Sequence, residues 1–317
     1  MMRVLVVGAG AVGGYFGGRM ALAGQDVTFL VREGRAKELA ANGLVIKSPR
    51  GEAKLSSVKT VLTSQIDEPY DLVLLSCKAY DLDGAMDAFA PAVGASTTIL
   101  PLLNGMCHLD RLGERFGRKS VLGGVCLIAA TLDATRAIVQ MTDMHAIVFG
   151  ELDGVHSARV DAIAAALRAG GFDVDATDAI VQQMWEKWVF LATLAGATCL
   201  FRASIGNIVS VPGGEAALRA LFDECGAVAA SHGHAMRAPF AERSRAMLFA
   251  PGSALTASML RDIENGLRTE GDHVLGDLLA RRLPSPSSSS SSSPSPSPSL
   301  LELAYAHVKA YEVRHGR

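Results

Sequence analysis

Six residues near the amino terminus constrain this chain more than any others: Gly8-Ala9-Gly10-Ala11-Val12-Gly13. They follow Arg3-Val4-Leu5-Val6-Val7, an aliphatic run that reads as a short buried parallel strand. A small-residue helix from Gly13 to Ala23 comes next and ends at Gly24. The order strand, G-x-G-x-x-G, helix is that of a dinucleotide-binding turn, and each glycine has a physical task. Gly8 allows the tight turn, Gly10 lets a pyrophosphate approach the backbone, and Gly13 lets the helix pack close to the strand. The free N–H groups of the first helical turn, at Ala11 and Val12, face the phosphates together with the positive end of the helix dipole. The alternative is a glycine-rich turn without a ligand.

The next strand, Gln25 to Val31, is at the spacing of a βαβ unit. NAD-dependent proteins usually carry an acid about 20 residues past the glycines, on the ribose 2′-hydroxyl. Arg32 stands there instead. A guanidinium suits a 2′-phosphate, so the expected cofactor is NADPH, with Arg35 as an assistant. Glu33 leaves open an NAD reading in which the acid is displaced by a residue or two. Arg32 and Arg35 as solvated loop residues is the third option.

Further along, Leu44–Ile46 and Lys54–Thr60 read as short extended pieces, a hairpin on the sheet edge. Asp71–Cys77 and Thr97–Leu103 read as buried strands, ending in Lys78 and Asn104. Strand ends on the carboxyl side of an open α/β sheet face the ligand, which makes both residues site candidates. For Asn104 the competing role is a turn residue before Gly105. Val121–Ile128, His145–Gly150 and Phe172–Val174 supply further strands, and residues 157–169 an amphipathic helix. From about Asp178 the pattern is helical throughout. The expected fold is α/β, a Rossmann-type dinucleotide-binding domain over residues 1–176, plus an all-helical domain over 177–317.

Composition narrows the partners. The 317 residues carry a net charge of −2 without a strongly basic block, which argues against nucleic acid. No apolar run is long enough for a membrane span, and Gly8 arrives too early for a signal peptide, so a cytoplasmic enzyme is expected. The five cysteines form no C-x-x-C pair and read as small buried apolar residues. His232-Gly233-His234 lacks a third ligand at convincing spacing, so no metal is expected.

The helical part opens on Ile180–Leu191, where Trp185 and Trp188 share a face that reads as core. Lys187 points elsewhere. Among so many apolar neighbours it is either partly desolvated, and so suited to proton transfer, or an ordinary solvated helix lysine.

With these pieces in place, the chain resembles the ketopantoate reductase (2-dehydropantoate 2-reductase) family over nearly its whole length. The carrying segments are GAGAVGG, Arg32, CKAYD around Lys78, LLNGM around Asn104, MWEKW around Lys187, and SMLRDIENGLRTEGD from Ser258 to Asp272. The resemblance implies a site in a cleft between two domains, where NADPH delivers a hydride to the 2-oxo carbon of ketopantoate, a step of pantothenate biosynthesis. It implies that Lys187 is the catalytic lysine, Glu270 the active-site glutamate, Asn104 the carbonyl-side asparagine and Ser258 a substrate-binding serine. It implies a monomer or homodimer acting on a small 2-oxo acid. In one straight helix Ser258 and Glu270 would stand roughly 18 Å apart, unless it breaks near Asn265-Gly266.

Four positions depart from the family. Leu191, Ala195, Ile205 and Leu255 stand where it usually carries asparagines. A pocket that loses four donors loses affinity for a polar substrate or changes substrate. Two alternatives to ketopantoate reduction follow: reduction of a more apolar 2-oxo acid or ketone, and a non-enzymatic NADPH-responsive regulator. Lys187, Asn104 and Glu270 argue against the regulator, which needs no proton donor. Arg202 is a candidate clamp for the substrate carboxylate or else a surface or capping residue. Residues 284–299, serine- and proline-rich, read as an insertion without a catalytic role.

Overall fold

The computed structural model describes residues 1–283 and 297–317. In chain order these form β1 (Arg3–Val7), α1 (Ala11–Leu22), β2 (Asp26–Leu30), α2 (Glu33–Asn42), β3 (Leu44–Lys47), β4 (Ala53–Leu55), β5 (Lys59–Val61) and β6 (Leu72–Leu75). There follow α3 (Leu82–Phe89), β7 (Thr98–Pro101), α4 (Cys107–Phe116), β8 (Leu122–Leu132), β9 (Ile138–Glu151), α5 (Ala158–Arg168) and β10 (Asp173–Ala176). The remainder is helical: α6 (Ile180–Phe201), α7 (Ile205–Ser210), α8 (Gly214–Ser231), α9 (Ala238–Leu248), α10 (Ser258–Glu264), α11 (Asp277–Ala280) and α12 (Leu300–Arg314). A π-helical turn, Asp272–Gly276, runs directly into α11. Two compact units result, Met1–Leu103 with His108–Val181, and Asn104–Cys107 with Gln182–Arg317.

In the first unit five parallel strands follow the order β5-β2-β1-β6-β7. Alternation assigns their two faces. Val4, Val6, Val27, Phe29, Leu72 and Leu74 join one apolar cluster, while Leu5, Val7, Leu30, Val73 and Leu75 join another with Leu82, Met86 and Phe89 of α3.

A second sheet has the order β10-β9-β3-β4, with β8 paired antiparallel to β9. The strands read from Val121–Ile128 and His145–Gly150 therefore form a long hairpin, joined to the parallel sheet by a single parallel bridge between Val121 and Ile99. Its turn is built on Asp133, whose Oδ1 accepts from the N–H groups of Thr135 and Ala137, while Arg136 takes φ +61°. A short turn of this kind joins antiparallel strands, whereas a parallel neighbour needs a crossover. The β3–β4 hairpin also lies in this sheet, with β3 parallel to β9.

Helix α1 lies between the two sheets, which explains its glycines. A Cβ at Gly17 would sit 2.9 Å from Val6 and 2.8 Å from Phe29 of the parallel sheet. A Cβ at Gly14 would sit 2.6 Å from Ile138, and one at Gly18 2.7 Å from Leu44, in the second sheet. Each mid-helix glycine costs about 1 kcal/mol of helix propensity. Close packing on two faces, around the fully buried Tyr15, Phe16 and Met20, offsets it.

The second unit is organised on α6, which is apolar almost all round, as a central buried helix should be. Trp185 and Trp188 are buried, as their spacing led one to expect, and so are Val189 and Ala192. At Gly196 a Cβ would meet Leu221 of α8, Ala304 of α12 and Leu275 of the π turn, so three elements close on this one residue. Cys199 and Cys225 are buried here, and burial pushes both thiols up to about 12. Cys126 is buried as well, but Cys77 and Cys107 are only half-buried, contrary to the reading of all five as core.

Ser299, assigned from sequence to the serine-rich insertion, is the N-cap of α12 and forms a capping box with Glu302. Residues 284–296 of that stretch lie outside the described residues.

Candidate functional site

The first unit offers a dinucleotide cradle at the carboxyl end of β1. Gly8 turns the chain at φ +93°, with its N–H on the carbonyl of Leu30 at 3.0 Å. Nothing lies within 4 Å of the Cβ position at Gly10, so a phosphate can approach the backbone there. At Gly13 a Cβ would stand 2.1 Å from Ser76 Oγ and 2.4 Å from the Gly8 carbonyl oxygen. Ser76 Oγ donates to the Val7 carbonyl at 3.0 Å, tying the end of β6 to the start of the loop. The N-cap of α1 is Gly10, no side chain caps the helix, and its first turn holds no acid. The first-turn N–H groups of Ala11, Val12 and Gly13 thus keep their donor capacity and an unopposed dipole. These features fit a bound pyrophosphate.

Arg32 is the N-cap residue of α2; its side chain is 89% exposed and 3.5 Å from Asp81. A surface pair that loose is worth little, which leaves the guanidinium available to a ligand phosphate. Arg35 is different. Its side chain is 11% exposed, it ion-pairs with Glu38 at 2.9 Å, and it donates to the Ala9 carbonyl at 3.1 Å. Two of its guanidinium nitrogens are thus engaged by the protein itself, unlike those of Arg32. Lys78 is half-buried just past the end of β6, at the N-cap position of the short turn Ala79–Asp81 that carries Arg32's partner.

The second unit holds Asn104, Lys187, Ser258, Glu270 and Arg202. Residues 270–274 connect the first of these. Trp188, next to Lys187, donates from its indole nitrogen to the Val274 carbonyl at 2.8 Å. Val274 and His273 in turn donate their N–H groups to the Glu270 carbonyl at 2.9 and 3.1 Å. Gly105, next to Asn104, takes φ +78° and packs so tightly that a Cβ would lie 2.8 Å from the His273 carbonyl oxygen. The immediate neighbours of Asn104 and Lys187 are thus seated on the segment that begins with Glu270. π turns of this kind recur at functional sites.

That segment is braced from α12. Thr269 Oγ1 donates to the buried Glu312 carboxylate at 2.5 Å, and Lys309 bridges Glu312 and Asp272. Burial raises the Asp272 carboxyl, but hydrogen bonds from Lys309 and Tyr305 outweigh it and hold the group below its ordinary value. Residues on both sides of Glu270 are therefore fixed. On α6, Glu186 has a side chain only 2% exposed. It accepts from the Arg237 backbone N–H and Nε, both at 2.9 Å, and from Gln182 at 3.2 Å. His232 and His234 stack on Trp185 at centroid distances of 5.3 and 5.6 Å. The histidine pair is thus part of the packing that holds the turn of α6 carrying Lys187.

Ser258 is the exposed first residue of α10. That helix stops at Glu264, and Gly266 takes φ +65°, so the straight-helix separation from Glu270 does not apply. Arg202 follows the end of α6 at φ +53° and is exposed. Because α6 is continuous, Arg202 stands roughly 22 Å along the axis from Lys187. The two cannot grip the adjacent carboxylate and keto groups of one small 2-oxo acid, so the geometry opposes the clamp.

Sequence reasoning did not reach Ser76, the Trp188 indole bond or the Thr269–Glu312 brace. A signal existed for one of them: a buried tryptophan N–H requires an acceptor.

Comparison with known proteins bears on both units. The family model for ketopantoate reductase PanE/ApbA matches residues 4–154, and its C-terminal counterpart matches residues 179–282. An uncharacterized oxidoreductase of Bacillus subtilis, YkpB, is 36% identical over 98% of this chain and 99% of its own. The 2-dehydropantoate 2-reductase of Archaeoglobus fulgidus is 31% identical over 89% of this chain and 91% of its own. The crystal structure of 2-dehydropantoate 2-reductase from Methylococcus capsulatus superposes with a TM-score of 0.84 at 26% identity, covering 100% of this chain and 98% of that one. The chain belongs to the ketopantoate reductase family, oxidoreductases that act on 2-oxo acids.

Proposed function

We propose that this protein uses NADPH to reduce the 2-oxo carbon of ketopantoate to give pantoate, in cytoplasmic pantothenate biosynthesis, as a monomer or homodimer. The observation that carries the reading is the seating of the neighbours of Asn104 and Lys187 on the segment that starts at Glu270. NADPH, when bound, supplies the hydride. Hydride arrival leaves negative charge on the substrate oxygen. The Lys187 ammonium neutralises that charge and donates the proton. The Asn104 carboxamide donates to the same oxygen while accepting from the ammonium. Glu270 keeps the lysine charged or holds a ribose hydroxyl. Gly8, Gly10, Ala11, Val12 and Gly13 take the pyrophosphate, Lys78 stands at the neighbouring strand end, and Arg32 reads the 2′-phosphate. Ser258 is kept as a substrate contact.

A second reading, a more apolar 2-oxo acid, draws on the four departures. Ala195 and Ile205 are 4% and 0% exposed and belong to the core. Leu191 and Leu255 are half-buried and offer apolar surface where donors are usual.

The test is NADPH oxidation with ketopantoate beside bulkier apolar 2-oxo acids, with NADH as control. Efficient turnover of ketopantoate supports the first reading; turnover of only the bulkier acids replaces it with the second. Lys187→Ala is expected to lower kcat by about 10²- to 10⁴-fold. No turnover of any 2-oxo acid, with NADPH still bound, would favour a regulator.

A further inference from the structure

Two arginines stand three positions apart beside the glycine loop, and they are held in opposite ways. Arg32 is almost fully exposed and loosely paired. Arg35 is nearly enclosed, and its Nε, sealed from solvent, has no acceptor among the described residues. One of its terminal nitrogens reaches the Ala9 carbonyl at 3.1 Å and the other reaches Glu38 at 2.9 Å. Glu38 in turn accepts from Arg136 Nε at 2.9 Å, and Arg136 belongs to the turn between β8 and β9. A line of charge-assisted contacts therefore runs from the second sheet to the peptide between Ala9 and Gly10.

We infer that Arg35 is a positioning residue for the pyrophosphate loop and does not read the 2′-phosphate. The peptide unit is planar and trans, so fixing the Ala9 carbonyl also fixes the direction of the Gly10 N–H. Gly10 adopts an extended conformation, and the space where a Cβ would stand is open. The Gly10 peptide has no side chain of its own to order it, and Arg35 holds it through the Ala9 carbonyl. The two arginines divide the work: Arg32 distinguishes NADPH from NADH, and Arg35 raises affinity for both alike. The inference rests on the reading of this unit as a dinucleotide site.

The experiment is a set of direct binding titrations on the full chain, with NADPH and with NADH, read by nucleotide fluorescence, plus thermal unfolding without nucleotide. The variants are Arg32→Ala, Arg35→Met, Arg35→Lys and Glu38→Gln. Arg35→Met is expected to weaken both nucleotides by the same factor, about tenfold. Arg35→Lys, which keeps the charge and one donor, is expected to recover part of that loss for both. Selective loss of NADPH in Arg35→Met would overturn the inference, because it would make Arg35 a phosphate reader. Unchanged affinity for both in a folded variant would overturn it as well. Should Arg35→Met fail to fold, Glu38→Gln serves: a smaller but equal loss for both nucleotides supports the brace, and no loss refutes it. Arg32→Ala tests the underlying reading separately. If it leaves the preference for NADPH intact, the assignment of Arg32 fails while the result for Arg35 stands. If the unmodified protein binds neither nucleotide, the dinucleotide reading itself fails.

Discussion

The indole nitrogen of Trp188 donates to the carbonyl oxygen of Val274 at 2.8 Å, between residues 86 positions apart in the chain. Trp188 is 1% exposed and the bond is buried. Removing the donor loses one buried hydrogen bond, worth about 0.5–1.5 kcal/mol. Trp188→Phe keeps the aromatic packing but loses the bond. The expected result is a lower Tm and a kcat reduced about tenfold, with a smaller loss of NADPH affinity, since the glycine cradle lies in the other unit. Equal losses in kcat and in NADPH affinity would instead indicate general loosening. Steady-state kinetics beside a direct nucleotide titration separates the two.

Gly10 and Gly13 should respond differently to alanine. The Gly10→Ala methyl meets no protein atom within 4 Å, and φ −86° suits any residue. Stability should change by less than about 1 kcal/mol, while NADPH binding weakens, because the methyl occupies space the phosphate requires. At Gly13 the methyl collides with Ser76 Oγ and the Gly8 carbonyl. Stability should fall by about 1–3 kcal/mol, and nucleotide binding with it. Melting curves of the apo-protein and nucleotide titrations check both halves.

A buried network makes the first unit sensitive to acid. Tyr15 donates from its hydroxyl to Gln140 at 2.8 Å, and the same hydroxyl is hydrogen-bonded with His145 Nδ1 at 2.8 Å. Burial is the main cause that lowers the His145 pKa from 6.5; Arg50 and Arg19 act in the same direction, against Asp173 and Asp143. A depressed folded-state pKa favours the neutral ring, so this contribution to stability is complete above the unfolded value and is lost as pH falls through the folded one. Tm should therefore fall on acidification from about pH 7.5 to about pH 5.5. His145→Gln should be less stable at the higher pH yet lose less over the interval. His234, also lowered by burial and by His232, contributes to the same trend and leaves a residual slope. An undiminished slope in the variant would assign the acid sensitivity away from His145.

The ends of the serine- and proline-rich stretch are held together. Arg282 reaches Ser299 Oγ at 3.2 Å and Glu224 at 3.4 Å, and it also pairs with Glu302. Replacing residues 284–298 with a short glycine–serine linker should leave kcat unchanged and alter stability by less than about 1 kcal/mol, since loop-closure entropy depends only weakly on length. Loss of activity in that variant would show that the stretch contributes to catalysis.

What could be read from the sequence was local. The glycine cradle was legible because a missing Cβ has the same meaning in any βα turn. The break after α10 was legible at Asn265-Gly266, where Gly266 takes a positive φ. The β8–β9 hairpin was not, because its left-handed residue is Arg136, where a glycine or asparagine would have announced the turn. The distance of Arg202 from Lys187 was hidden in the length of α6, which continues to Phe201 without a breaker. The seating of Lys187's neighbour on residues 270–274 depends on long-range contacts that no spacing rule encodes. The different surroundings of Arg32 and Arg35 were likewise indistinguishable until burial separated them.

Residues Asn104–Cys107 belong to the second unit although the chain on both sides of them belongs to the first. A chain cut after Val181 would therefore carry this tetrapeptide without the His273 backbone against which Gly105 packs, and the complementary piece would carry that backbone without the tetrapeptide. Neither product of such a cut is a whole folding unit. Genetic dissection, domain exchange between relatives and split-protein designs on this scaffold must keep the loop and residues 182–317 together. The natural place for a seam is a circular permutation that moves the termini, with the loop left in the chain where it stands.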